Sequence, residues 1–313
     1  MALTLTEALI TTELRQYIGD KADTFADRKL HRACITGLAR LGRRRCWSFL
    51  RDSYTVTATP YYYDAASTAA VSVGGTTVTI TNGTLPTDVV GAFIEFDGQR
   101  RAYEVTVRGS GTSATIKVPY SNLDGSALTV ATWKILYPTF DLPANFKSLR
   151  RVIDVGRDAG LDVIESDDVE MWHNSSAGVG TPNVCAVRAK RSDPNIMQLW
   201  VYPAPEIREA YAILYNRVPG WYDSSTVATA TFAVEPTTVS YYADWPLIHK
   251  DLLLASCKLS LLAEGVKGLH EGAVLSEYNE LVRAAESDDE RQPEHEWLAR
   301  PTPSRAQSWR IGT

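Results

Sequence analysis

A chain of 313 residues, 44% hydrophobic and 22% charged with a mean hydropathy of −0.17, has the composition of an ordinary folded protein with enough apolar material for a core. It contains no run of 18 apolar residues, which excludes a helical membrane span, and acids stand early in the first 25 residues, where a secretory leader would have a basic segment and then an apolar one. The net charge of −5 is unevenly placed: residues 1–51 hold ten Lys/Arg against five acids, or +5, so the rest of the chain carries −10. A protein specialised for gripping nucleic acid is basic overall, and this one is not.

In chain order, residues 4–19 and 24–51 are expected to be helices. Thr24 followed three residues later by Asp27 suits a capped N-terminus. Leu30, Cys34, Leu38 and Leu41 recur at helical spacing. Arg40, Arg43, Arg44 and Arg45 crowd the far end, where cations favour the terminal carbonyls, before an aromatic close at Trp47-Ser48-Phe49-Leu50. From about Thr55 the period becomes two. Val71, Val73, Val78 and Ile80 alternate with small polar residues, Asp97-Gly98 marks a tight hairpin, and Tyr103, Val105 and Val107 lead to Gly109-Ser110-Gly111. Five or six short strands are expected over 55–137, as a small β-barrel or sandwich.

A second strand-rich stretch, 138–222, is punctuated by Pro143, Pro182, Pro203, Pro205 and Pro219. Helix returns at Trp245-Pro246. His249 to Glu264 is apolar or small on almost all faces, so it is buried either in its own core or against a neighbouring subunit. A helix over about 271–287 presents Leu275, Tyr278, Leu281 and Ala285 on one side. The last stretch has three prolines (Pro293, Pro301, Pro303), arginines at 300, 305 and 310, and Trp297 and Trp309. It is too poor in apolar residues for a core and reads as an extended arm that orders on a partner.

The elements add up to an α+β fold: a helical bundle built from N-terminal and C-terminal helices, a β-barrel or sandwich insertion, a second strand-rich region and an extended C-terminal arm. The boundaries fall at 1–54, 55–137, 138–244, 245–290 and 291–313.

Residues that would carry chemistry are scattered. Cys34, Cys46, Cys185 and Cys257 form no C-x-x-C pair, and the five histidines are dispersed, so buried free thiols are expected and neither metal nor cofactor is. Ser110 has glycine on both sides but sits in a hairpin loop, not a strand-to-helix elbow. Glu165-Ser166-Asp167-Asp168 is expected to be a solvated loop. No phosphate-cradling, zinc-protease or serine-nucleophile motif occurs, and the expectation is a protein without catalytic residues. The arginine run at 43–45 has three open readings: contact with DNA phosphates, contact with acidic patches on adjacent subunits, or solvation.

Three stretches carry a resemblance. One runs from Leu30-His31-Arg32-Ala33 to Trp47-Ser48-Phe49. Another is Phe140-Asp141-Leu142-Pro143-Ala144-Asn145-Phe146 with Arg150-Arg151-Val152-Ile153, Met197 to Pro205, and Tyr211 to Pro219. The third is the leucine-rich helix with Tyr278-Asn279-Glu280-Leu281 downstream. In this order they resemble the head-to-tail adaptor (connector, head-completion) proteins of tailed bacteriophages; the large β insertion departs from the smallest members. The resemblance implies a structural virion protein at the head–tail junction, assembled in the host cytoplasm. It implies a ring, commonly of twelve copies, that docks under the portal protein, extends the DNA channel and offers a platform for tail nozzle, tube or fibre proteins. Double-stranded DNA would pass without sequence-specific contact, and no membrane is involved. The C-terminal arm, with Trp297, Arg300, Arg305, Trp309 and Arg310, would dock on the portal; Arg40, Arg43, Arg44 and Arg45 would face a neighbouring subunit or the DNA channel. A closed ring repeats one heterologous interface, so each subunit needs two different faces; helices 24–51 and 247–264 are the candidates. The alternatives are a receptor- or glycan-binding tail component, with Tyr61-Tyr62-Tyr63 on the 55–137 domain as exposed aromatics, and a nozzle or tube subunit.

Overall fold

A computed structural model describes residues 5–19, 27–99, 101–121, 126–175, 178–190, 192–223, 241–243, 245–266 and 270–291. The chain divides into two compact units: residues 1–52, 144–148 and 215–313 form the first, and 53–143 with 149–214 the second.

The helical-bundle fold class expected from the sequence is corrected. The chain is mostly β, with nineteen strands and only five α-helices, of 10 to 21 residues, among the described residues. The helical signal misled because 3.6-residue periodicity is written in local sequence, whereas strands of two to ten residues acquire their weight only by pairing at a distance.

The second unit contains an eight-stranded sheet. Its members are β2 (Tyr62–Tyr63), β3 (Thr68–Val71), β4 (Thr77–Thr81), β5 (Phe93–Phe96), β6 (Ala102–Ser110), β7 (Ser113–Ile116), β8 (Leu128–Ala131) and β9 (Trp133–Leu136), in the order β2-β9-β5-β6-β7-β4-β3-β8. Alternation decides what goes inside: β4 buries Val78 and Ile80 and exposes its threonines. Asp97-Gly98 turns between β5 and β6 with Gly98 at φ +77°, a conformation open to a residue without Cβ. Ile94, Phe96, Tyr103, Val105, Ile116, Trp133 and Ile135 complete the core.

Another sheet of seven strands has the order β1-β17-β11-β12-β14-β15-β10. These are β1 (Arg51–Thr57), β10 (Thr139–Asp141), β11 (Phe146–Asp154), β12 (Ala159–Val163), β14 (Val184–Lys190), β15 (Asp193–Tyr202) and β17 (Ala210–Arg217); the division between units falls inside β1, β11 and β17. β12 and β14 run parallel, which requires a crossover, and α3 (Ser166–Ser175) supplies it. The acids at 167 and 168, expected in a loop, therefore occupy the first turn of a helix, where its dipole favours them. The sheet is curled: Phe140 on the edge strand β10 lies 6.0 Å, ring to ring, from Tyr211 on β17, although four strands stand between them in the hydrogen-bonded order. Phe93, Leu136, Val169 and Trp200 form a shared cluster within this unit. Two short ladders, β13 (Val179–Gly180) with β16 (Ala204–Pro205) and β18 (Trp221–Asp223) with β19 (Tyr241–Ala243), complete the strands.

In the first unit α1 (Glu7–Ile18), α2 (Asp27–Arg44), α4 (Lys250–Ala263) and α5 (Glu271–Arg291) share one core, with Leu14, Leu38, Leu41, Trp47, Leu253, Leu261 and Val282 among its members. Thr6 caps α1 by accepting from Leu9 N at 3.3 Å, and Gly19 closes it at φ +72°. α4 is buried along most of its length, as its apolar composition demands. It packs closely on α2 because Gly37 has no side chain: a Cβ there would stand 2.7 Å from Cys257 Sγ and 2.9 Å from its backbone nitrogen. In α5 the buried face is Val274, Tyr278, Val282 and Ala285; Leu275, expected inside, is exposed. Cys34, Cys185 and Cys257 are buried free thiols and Cys46 is exposed. No described helix is long and apolar enough to cross a membrane.

Candidate functional site

The expected site residues of α2 gather at its C-terminal end. α2 stops at Arg44, short of residue 51, and the aromatic close that follows is a 3-10 turn over Ser48–Leu50. The freed carbonyls are met by donors from elsewhere in the chain. Lys147 Nζ donates to Gly42 O at 2.6 Å and Arg45 O at 2.8 Å, placing a cation at the negative end of the helix. Trp47 Nε1 donates to Leu41 O at 3.0 Å.

Three of the four arginines are engaged inside the first unit. Arg40 Nη1 donates to Ser256 O on α4 at 2.9 Å. Arg44 Nε donates to Glu286 Oε1 at 3.1 Å, and Arg45 Nη2 lies 3.2 Å from Asp289 Oδ2, both acids on α5. The Arg45 guanidinium also sits 5.4 Å from the centre of the Trp47 ring. Asp289 is buried and accepts from Ser48 N at 2.7 Å and from the Ser48 hydroxyl. The α2 terminus is thus stitched to α5 around one buried carboxylate. Arg43 is exposed.

Comparable ties occur elsewhere in this unit. Lys258, buried on α4, reaches both oxygens of Glu277 at 2.8 and 3.0 Å and lies 3.9 Å from the centre of the Tyr17 ring. Lys250 donates to Glu13 at 2.8 Å, and His31 Nδ1 lies 2.5 Å from Glu7 Oε1. Before α4, Pro246 opens a short turn over Leu247–His249 that is pinned at both ends, His249 N to Pro246 O at 3.0 Å and Trp245 Nε1 to His249 O at 2.9 Å. Its central residue, Ile248, is 84% exposed. Sequence reasoning chose α4 as a candidate face but missed this residue. The helix buries its body and presents its leading turn, a distinction that rests on tertiary packing.

The arm residues Trp297, Arg300, Arg305, Trp309 and Arg310 lie outside the described residues. In the second unit, Ser110, expected in a hairpin loop, is the last residue of β6 beside the turn, an exposed hydroxyl whose Oγ lies 3.3 Å from Thr112 Oγ1 and 3.2 Å from Ser113 Oγ. Of Tyr61, Tyr62 and Tyr63, the last is exposed and the other two are half-buried, and Tyr62 tilts against Trp133 at 5.7 Å. His173 is the buried titratable group of note there. Its Nε2 donates to Val201 O at 2.9 Å, and Phe93, Trp200 and Tyr202 surround the ring at 5.0 to 6.3 Å. Burial pushes its pKa down to about 4 against the opposing effect of that hydrogen bond. Among the described residues no group of three or more His, Cys, Asp or Glu is placed to hold a metal ion.

No protein-family model matches the chain, and no curated protein matches it significantly in sequence.

Proposed function

We propose that this chain is a structural virion protein, a head-to-tail adaptor of a tailed bacteriophage. Copies close into a ring, of twelve by the family resemblance, that docks under the portal protein, extends the DNA channel and gives the tail its attachment platform. The observation that carries the reading is Ile248. An isoleucine 84% exposed in a turn fixed at both ends cannot fold back onto its own core, so it presents a rigid apolar knob, with Leu247 beside it, to another polypeptide.

Two further features agree. The stretches that carry the resemblance fold as neighbours, β10 beside β15 and β11 beside β17 in one sheet, which suits a packing signature better than an active-site one. The arginine cluster ties α2 to α4 and α5, so it stiffens a ring subunit and leaves Arg43 as its outward charge toward a neighbour or toward passing DNA.

Negative-stain imaging of the purified chain mixed with portal protein tests this. Rings seated on the portal are expected, and Ile248→Asp should abolish them while leaving the circular dichroism of the free subunit unchanged. Portal complexes without rings, or virions that lack the polypeptide, would overturn the proposal.

A further inference from the structure

The two outer strands of the seven-stranded sheet, β1 and β10, each pair with one neighbouring strand among the described residues, β17 and β15 respectively. Yet Tyr54 to Thr57 of β1 and Thr139 to Asp141 of β10 line the same open cleft, of about 500 Å³, within the second unit. The Phe140–Tyr211 ring contact shows how: the sheet has curled until both of its edges border one cavity without pairing across it. It is an incomplete barrel. An unpaired strand edge is a template for another strand, and here two edges face one gap.

We propose that this cleft takes an extended polypeptide by strand addition, and that the occupant is the segment Ala306–Thr313 of a second copy. Backbone edges recognise an extended chain by its amides, and the alternating side chains then meet whatever lines the gap. Exposed Tyr54 and Val90 offer apolar ground, and the remaining walls carry the hydroxyls of Thr55, Thr57 and Thr139. The charge in the cleft is specific. Asp141 is already held by Lys190 and Gln198, each at 2.6 Å. Asp88 is exposed and accepts from a neutral donor, Tyr137 Oη at 3.2 Å, so it offers the cleft a solvent-facing negative charge that a cation could approach. Burial and the nearby Asp88 carboxylate both hold the Tyr137 phenol protonated.

The segment Ala306-Gln307-Ser308-Trp309-Arg310-Ile311-Gly312-Thr313 fits that description. It has no proline and no acid, carries one cation, and alternates Trp309 and Ile311 against Ser308 and Arg310 with the two-residue period of a strand. The stretch before it, with Pro293, Pro301 and Pro303, cannot pair continuously. Residues 292–305 between α5 and the segment reach roughly 45 Å when extended, ample for a neighbour in a ring. The proposal rests on self-association and not on the portal or DNA, and it moves Trp309 and Arg310 from the portal to an adjacent subunit.

The test uses the full chain in two differently tagged forms, one carrying Trp309→p-benzoylphenylalanine. Irradiation of the mixture should give adducts between the tags that map to residues 54–59, 88–92 or 137–141, and Asp88→Lys should cut their yield about fivefold. Adducts that form only within one chain, map elsewhere, or ignore Asp88→Lys overturn the inference. So does saturable binding of maltohexaose at the cleft with no adduct there, which would make it a sugar site. Rings on the portal that survive removal of residues 306–313 sink this inference alone; a full chain that never forms rings sinks the adaptor reading.

Discussion

Charged side chains tie the helical unit together, whereas the sheet unit is filled with rings. In the first, Arg44–Glu286, Arg45–Asp289 and Lys250–Glu13 each join two elements distant in sequence, and Lys258–Glu277 joins the consecutive helices α4 and α5. In the second, Phe96, Tyr103 and Tyr120 pack in one cluster while Phe93, Trp200 and Tyr202 enclose His173. Aromatic packing is present in the helical unit too, at Trp47, Phe49 and Trp245, but there it meets the ionic ties around Asp289. The second unit has ion pairs of its own, Lys190–Asp141 and Lys117–Glu104 among them, so the contrast is one of weight. Salt and charge removal should act more on the helical unit, and lost volume or buried protonation more on the sheet unit, since exposed ion pairs are screened and rings are not.

The strongest way to break that contrast is Trp133→Ala. Deleting a fully buried indole from the eight-stranded sheet should cost the second unit about 4 kcal/mol. Denaturant unfolding followed by near-ultraviolet signal would register it, while helical ellipticity from the first unit keeps its midpoint; a joint transition would refute the separation. Next in size is pH. With its folded pKa near 4, His173 is neutral in the native state, whereas the unfolded side chain titrates near 6.5. Its contribution is fully present above pH 6.5 and is lost as pH falls toward 4, about 3 kcal/mol in all. Thermal melts across that window should show the slope, and His173→Phe should flatten it.

The remaining two sharpen the comparison from the ionic side. Asp289→Ala removes the acceptor for Ser48 and Arg45 together and should cost the helical unit about 2 kcal/mol, with the sheet unit unmoved. Arg44→Ala removes a half-exposed pair and should cost less than about 0.5 kcal/mol, a difference that about 0.5 M salt erases. A larger or salt-insensitive loss would mean that Arg44 acts through packing.

What could be read in advance follows the range of the forces involved. Helices α1, α2, α4 and α5 were legible because spacing such as Leu30, Cys34, Leu38 and Leu41 is local, and so was the Asp97-Gly98 hairpin, whose turn chemistry is contained in two residues. The curled sheet was not. Its order places β17 between β1 and β11, and nothing within residues 51–57 announces a partner at 210–217. The acids at 165–168 read as a loop because charge alone cannot distinguish a solvated turn from a helix start. At the candidate site, the clustering of Arg40, Arg43, Arg44 and Arg45 was visible, but the engagement of Arg40, Arg44 and Arg45 by Ser256, Glu286 and Asp289 depends on residues more than 200 positions away.

Lys147 has a consequence for synthesis. The carbonyls that end α2 wait for an ammonium about a hundred residues downstream, and α4 and α5, to which α2 is tied, come still later. The sheet unit is encoded wholly between residues 53 and 214, interrupted only by 144–148, so it leaves the ribosome before its helical companion has all its parts. Nascent chains arrested at a length that exposes residue 214 should already resist protease across 53–214, while residues 5–44 are still cut; protection of both at that length would contradict this birth order.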